Sequence, residues 1–340
     1  MRAAIFHEHG GPEVVVIEDV ERPEPGAGEV LVRVKATGMN HLDLWVRRGL
    51  PIETVMPHIG GSDVAGVVEA LGPGVEGARE GERVLVNPSL FCGRCAWCRA
   101  GEQCLCERYR ILGEHTQGGM AEYVVVPAGN LHPLPDGFPF EKAAAAPLVF
   151  QTAWRGLMGR GRLRAGEDVL ITGASGGVAT AAIQIAKLAG ARVFAVTTGE
   201  NVERVRALGA DVVYDRTEVE FARGVWADTG KRGVDLVFDS VGEATWTACL
   251  RSLAKGGRLV TYGATTGPDA ATDVRLVFWR QLEILGTTMS NVAEFGRVMG
   301  LVLEGRLEPV VDVAWPLERA REAHERLERG EQFGSIVLTP

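Results

Sequence analysis

The chain changes its hydrophobic rhythm near residue 150. Before that point the pattern has period two. Glu29-Val30-Leu31-Val32-Arg33-Val34-Lys35-Ala36 alternates polar and apolar positions, which predicts a half-buried strand. Residues 64–70, 82–86 and 121–126 are further strand candidates, set off by turns at Gly72-Pro73-Gly74 and Glu80-Gly81 and ended by Pro127. Many short strands between Gly/Pro turns predict a barrel or a sandwich.

After residue 150 strands alternate with helices. The apolar run 168–172 leads into a glycine turn, and 177–188 then has the Ala, Ile and Val composition of a buried helix. Strand candidates recur at 191–196, 212–214, 234–238 and 258–262, with a helix at 202–208 and other helical segments between them. This alternation predicts a parallel, doubly wound sheet. Past about Gly286 the chain is expected to leave that sheet. Residues 318–329 read as an amphipathic helix with a charged, solvated face, and 335–338 as a last strand.

Composition narrows the class. A chain of 340 residues suggests two domains, and 46% hydrophobic with 24% charged residues fits a folded protein and excludes a disordered one. No apolar run approaches the roughly 18 residues of a membrane span. The N-terminus breaks into charge at once, so a secretory signal is not expected and the expected location is cytoplasmic. A net charge of −8 argues against nucleic acid or an anionic membrane as the main partner. The chain has 31 Arg against 5 Lys, and only 5 Asn and 6 Gln, which suits a thermophile or a GC-rich genome alike.

The turn Gly173-Ala174-Ser175-Gly176-Gly177-Val178 stands between a strand and a helix. Small residues there let backbone approach a pyrophosphate, and the helix N-terminus offers free N–H groups. The strict G-x-G-x-x-G is absent: Ala174 and Ala179 fill two of its glycine positions. The strand–turn–helix context supports a dinucleotide site; the alternative is a tight turn that binds nothing. At the end of the second strand, where an acid would hold the ribose, the chain has Thr197-Thr198-Gly199, with Glu200 late. Loss of the acid mildly favours NADP over NAD.

Five of six cysteines fall within residues 92–106. The spacing Cys92-x2-Cys95-x2-Cys98-x7-Cys106 suits four thiolates converging on one tetrahedral Zn²⁺. Cys104 is too close to Cys106 to join them. Two disulfides or free thiols are the alternative, disfavoured by the cytosolic character of the chain. A closed four-thiolate site braces a lobe and performs no chemistry. Cys249, alone in a helix, reads as core packing.

A β-rich domain, a four-cysteine lobe and a nucleotide-binding sheet together resemble the medium-chain dehydrogenase/reductase superfamily. The resemblance runs through Gly66-Val67-Val68-Glu69-Ala70-Leu71-Gly72-Pro73-Gly74-Val75, Gly81-Glu82-Arg83-Val84 and Gly118-Gly119-Met120-Ala121-Glu122-Tyr123. It implies an α/β plus β architecture: a GroES-like β-barrel catalytic domain (1–149 and 287–340, with the lobe at about 91–107) and a doubly wound Rossmann nucleotide-binding domain (150–286). It further implies a homodimer or homotetramer.

Alcohol dehydrogenases of that superfamily carry a second, catalytic zinc. Where the resemblance places its ligands, this chain has Asn40 for Cys, Ser62 for His, Asp63 for Glu and Leu148 for Cys. An amide, a hydroxyl and a hydrocarbon do not hold Zn²⁺ tightly. Leu42 stands where Ser or Thr would relay the substrate proton. Asn40, Asp43, the Gly61-Ser62-Asp63 turn and the Ala143–Ala146 run before Pro147 resemble the quinone-oxidoreductase branch, which lacks catalytic zinc. The implied activity is hydride transfer from NAD(P)H to a quinone or an α,β-unsaturated carbonyl. Asn40 and the Ser62 or Thr152 hydroxyl then stabilise the developing oxyanion, with Asp43 and Asp63 orienting them. His41 is a candidate contact to the cofactor phosphates, with a plain surface role as the alternative. Gly263 and Ala264 are expected near the nicotinamide.

Two other readings stay open. One is an NAD-dependent alcohol dehydrogenase binding a second metal through His58, Asp63 and His41. The other is a nucleotide-binding protein without turnover. Elemental analysis separates the first two readings. The zinc-braced reductase is expected to carry about one zinc per chain, and about two would favour the alcohol dehydrogenase.

Overall fold

The computed structural model describes all residues, 1–340, and divides them into two compact units. One comprises Met1–Gln151 and Ser290–Pro340, the other Thr152–Met289. No helix is long and apolar enough to cross a membrane.

The first unit is built on the strand Glu29–Met39, which pairs with three neighbours: Asp63–Leu71, Tyr123–Pro127 and Ser335–Thr339. The seven-stranded sheet runs outward on one side through Arg83–Val86 to Leu131–Pro133, and on the other to Val311–Pro316. Val30, Val32, Val34, Val64, Val68, Val84 and Val86 fill its core, as expected of β-branched residues on a pleated surface. The alternation predicted for 29–36 holds from Val32 to Ala36, where Arg33 and Lys35 are exposed between buried neighbours, and is broken only at Leu31. Val30, Leu31 and Val32 are all buried, and this break coincides with a register shift at Leu31/Val32 in the pairing with Asp63–Leu71. A second, three-stranded sheet joins Val16–Asp19, Arg2–Phe6 and His58–Ile59.

The second unit holds a six-stranded, wholly parallel sheet. Its order is Val212–Asp215, Arg192–Thr197, Asp168–Ile171, Val234–Asp239, Leu253–Thr261 and Glu283–Gly286. That is the 3-2-1-4-5-6 order of a dinucleotide-binding sheet, reversing beside the first strand. The helix Gly177–Leu188 spans the residues predicted for it. The last strand escapes the hydrophobic pattern. It is short and mostly exposed, so its sequence carries little apolar signal.

The middle of this sheet is packed without slack. Phe238 is fully buried, with its ring 4.1 Å from that of Tyr262. Gly156 approaches the other edge so closely that a Cβ there would lie 2.2 Å from Phe238 Cε2. Phe238→Ala is expected to destabilise the unit by about 3–5 kcal/mol, read as a lower midpoint in denaturant-induced unfolding.

Candidate active site and cysteine centre

Four sequence candidates meet in the first unit. The central strand ends at Met39, and Asn40 stays extended before the helix His41–Arg48 begins. Asp43, in the first turn of that helix, reaches back and accepts the Asn40 N–H at 2.8 Å. Its other oxygen accepts the Gly61 N–H, also at 2.8 Å. Asp63 Oδ2 accepts from the Asn40 side-chain amide at 3.0 Å, and Asp63 Oδ1 from the Leu148 N–H at 2.8 Å. Ser62, between them, is fully buried, and its hydroxyl has no partner. Gly61 must be glycine: its φ is +94°, and a Cβ would lie 2.8 Å from Thr37 Oγ1 and 2.9 Å from the Met120 nitrogen.

The electrostatics follow from burial. Desolvation pushes Asp43 up to about 6 and Asp63 to about 7, against the hydrogen bonds that favour their charged forms. Glu114, unremarkable in the sequence, is pushed up to about 7 by desolvation, helped by the charge of Asp43. Its carboxylate lies 3.2 Å from His115 Nδ1. The only hint in the sequence was an acid next to a glycine, Gly113, too common a pattern to single out.

The histidines separate by their surroundings. His58 has Nε2 3.0 Å from the Gly113 carbonyl and Nδ1 3.2 Å from that of Val55. Both ring nitrogens thus face backbone carbonyls, and burial lowers the pKa of the ring. His41 is half-buried, its ring 6.4 Å from that of Trp45, and burial lowers its pKa.

The cofactor candidates of the second unit lie mostly at the C-terminal ends of its parallel strands. Gly173 opens the turn with φ +58°, close to Ser240 and Val241. The Ala174 N–H donates to the Val196 carbonyl, and Gly176 N-caps the helix in extended conformation. Ser175, Gly176, Gly177 and Val178 thus lead into a helical first turn whose N–H groups have no intrahelical acceptor. Thr197 is buried with its hydroxyl unpartnered, and Thr198 is half-buried. Gly263 and Ala264 lie by the next turn, tied through the Thr265 N–H to the Ser240 carbonyl. Thr152 belongs to this unit, its hydroxyl 3.8 Å from Met289 Sδ. The anion-ready turn and the orphaned Thr197 hydroxyl fit a dinucleotide. Also overlooked in the sequence was Asp239, which ends the strand beside the turn. Its carboxylate accepts from Thr172 Oγ1, Thr245 Oγ1 and the Gly242 N–H.

Cys92, Cys95, Cys98 and Cys106 bring their sulfurs within 4.8 Å of one another, and none is oxidised. A tetrahedral zinc with Zn–S bonds of about 2.3 Å places sulfurs roughly 3.8 Å apart; Cys92 and Cys98 are 4.0 Å apart. Backbone N–H groups point at the sulfurs, from Cys95 to Cys92 and from Cys92 and Arg108 to Cys106. This donor set fits a structural zinc, and Cys104 stands outside it.

Comparison with known proteins agrees with this geometry. The alcohol dehydrogenase GroES-like domain matches residues 26–136, and the zinc-binding dehydrogenase domain matches 208–338. An NAD-dependent alcohol dehydrogenase of Sulfolobus acidocaldarius is 34% identical over 99% of both chains. The chain belongs to the medium-chain dehydrogenase/reductase superfamily. An acryloyl-coenzyme A reductase of Sulfurisphaera tokodaii is 31% identical over 95% of this chain and 96% of its own. Mammalian quinone oxidoreductases match at 30–31% over 99% of this chain. A solved structure of an NAD-dependent alcohol dehydrogenase is 46% identical, covers 100% of both chains and superposes with a TM-score of 0.96. The superfamily fold, a GroES-like domain with a Rossmann-like parallel sheet, and its NAD(P)-dependent oxidoreductase character are thereby established for this chain.

The two raised aspartates carry a pH signature. Unfolded, they release protons near 3.8; folded, near 6 and 7. Between these values the native state binds more protons, so their contribution to stability falls as pH rises from about 4 to about 7 and then levels off. Asp63→Asn is expected to flatten that slope in unfolding free energy measured against pH, even if it lowers stability throughout.

Proposed function

We propose that the protein is an NAD(P)H-dependent reductase of α,β-unsaturated carbonyls or quinones that works without catalytic zinc. The observation that carries this reading is the hydrogen bond between the Asn40 amide and Asp63. It ties together two of the positions where the superfamily's alcohol dehydrogenases hold metal. A third, Ser62, offers only a hydroxyl, and a fourth, Leu148, a hydrocarbon side chain. His58 is a poor substitute, since both its ring nitrogens face carbonyls.

When bound, the nicotinamide cofactor supplies the hydride. The side chains of this unit handle the charge that hydride transfer creates. Asn40 Nδ2 gives one N–H to Asp63 and keeps a second for an enolate or quinol oxyanion. The Ser62 hydroxyl, without a partner in the protein, is a second donor. Asp63 fixes the plane of the Asn40 amide, and Asp43 fixes its backbone. Donors held in this way cost no reorganisation when charge develops. Solvent can supply the proton that completes the reduction. The relatedness to an acryloyl-coenzyme A reductase and to quinone oxidoreductases supports the substrate class.

A metal-bound alcohol dehydrogenase is the competing reading, favoured by the 46% identity to a solved enzyme of that name. Steady-state assays with enones and quinones against simple alcohols distinguish them. Reduction of the former is expected, and robust metal-dependent alcohol oxidation would overturn the proposal. Asn40→Ala is expected to lower kcat on an enone by about 10²–10³-fold, with a smaller effect on KM.

A further inference from the structure

The second strand ends in Thr197-Thr198-Gly199, without the acid that holds an adenosine ribose in dinucleotide sheets. The adjacent strand supplies one. Asp215 is the register partner of Thr197 in the parallel pairing. Its Oδ2 lies 2.7 Å from where a Cβ of Gly199 would be. The carboxylate therefore occupies the space of the missing side chain, and a larger residue at 199 would displace it.

We infer that Asp215 takes the place of the absent acid, so that the site prefers NAD(H) over NADP(H). The inference rests on the dinucleotide reading of this unit. Asp215 Oδ1 is held by the Thr217 N–H at 2.9 Å and the Thr217 hydroxyl at 2.7 Å. Those bonds also lower its pKa and keep it charged. They leave Oδ2 free to accept from a ribose hydroxyl, while its charge repels a 2′-phosphate. The mild NADP preference suggested by Thr197-Thr198 is thereby reversed: the linear sequence lacks an acid at the strand end, but the sheet restores one from the neighbouring strand, at the register partner of Thr197. Arg216 is a cation beside this carboxylate and offers an alternative partner for a phosphate. Its N–H donates to the Thr197 carbonyl, and its guanidinium is exposed.

Direct titration of the full-length protein with NADH and with NADPH, followed by nicotinamide fluorescence without substrate, tests this. NADH is expected to bind at least about tenfold more tightly. Asp215→Asn keeps the acceptor for Thr217 but removes the charge, and should bring the two affinities within about threefold. Gly199→Ala pushes the carboxylate aside and should weaken NADH in the same direction. Arg216→Ala should leave the preference in place. Tighter NADPH binding by the wild type, or a ratio unmoved by Asp215→Asn, overturns the inference, as does a preference that follows Arg216. If neither cofactor binds, the dinucleotide reading itself fails.

Discussion

Two carboxylates buried without a neighbouring cation organise the first unit. A charge taken out of water must find hydrogen-bond donors or give up its charge. Asp43 and Asp63 do some of both. Their oxygens claim the N–H groups of Asn40, Gly61 and Leu148 and the Asn40 amide, while burial holds their pKa values near neutrality. Apart from the local Asp43–Asn40 cap, these bonds tie segments distant in sequence: the end of the central strand, the glycine turn and the helix that follows the alanine run. If these carboxylates lose their donors, the turn that carries Ser62 loses its anchor too.

The same solution recurs in the molecule's other anionic centres. The cysteine sulfurs receive backbone N–H groups from Cys92, Cys95 and Arg108. The glycine turn presents the N–H groups of a helical first turn. Arg, abundant as it is, works mostly elsewhere, in surface pairs such as Arg162–Glu283 and Arg206–Glu203. Such exposed pairs add little stability singly. Backbone donors lose no side-chain entropy when they are held in place, which makes them the more exact instruments for a fixed site.

The sequence disclosed what depends on local pattern. The helix Gly177–Leu188, the strand–turn–helix before it and the cysteine spacing were all readable, because each is defined by neighbours within a few residues. Asn40, Asp43, Ser62 and Asp63 were singled out through resemblance, and the structure brings them together. Other features were hidden because they are tertiary. Asp239 and Glu114 look like ordinary acids until folding buries them. Asp215 is unremarkable until sheet register sets it beside Gly199. The strand Glu283–Gly286 is too exposed for hydropathy to find. His58, a candidate second-metal ligand in the sequence, has both ring nitrogens turned to backbone carbonyls, a pairing no local pattern announces.

One feature of the connectivity bears on how the chain is made. The strand that leads into Asn40 pairs with Ser335–Thr339, near the other end of the polypeptide. The second unit, in contrast, is a single continuous stretch, Thr152–Met289. During synthesis from the N-terminus its parallel sheet is complete while the first unit still lacks a neighbour for its central strand. Until then the free edge beside Gly38 is an open hydrogen-bonding template, the kind of surface that recruits other chains. That edge is closed only once Ser335–Thr339 has been made, after the whole of the continuous unit.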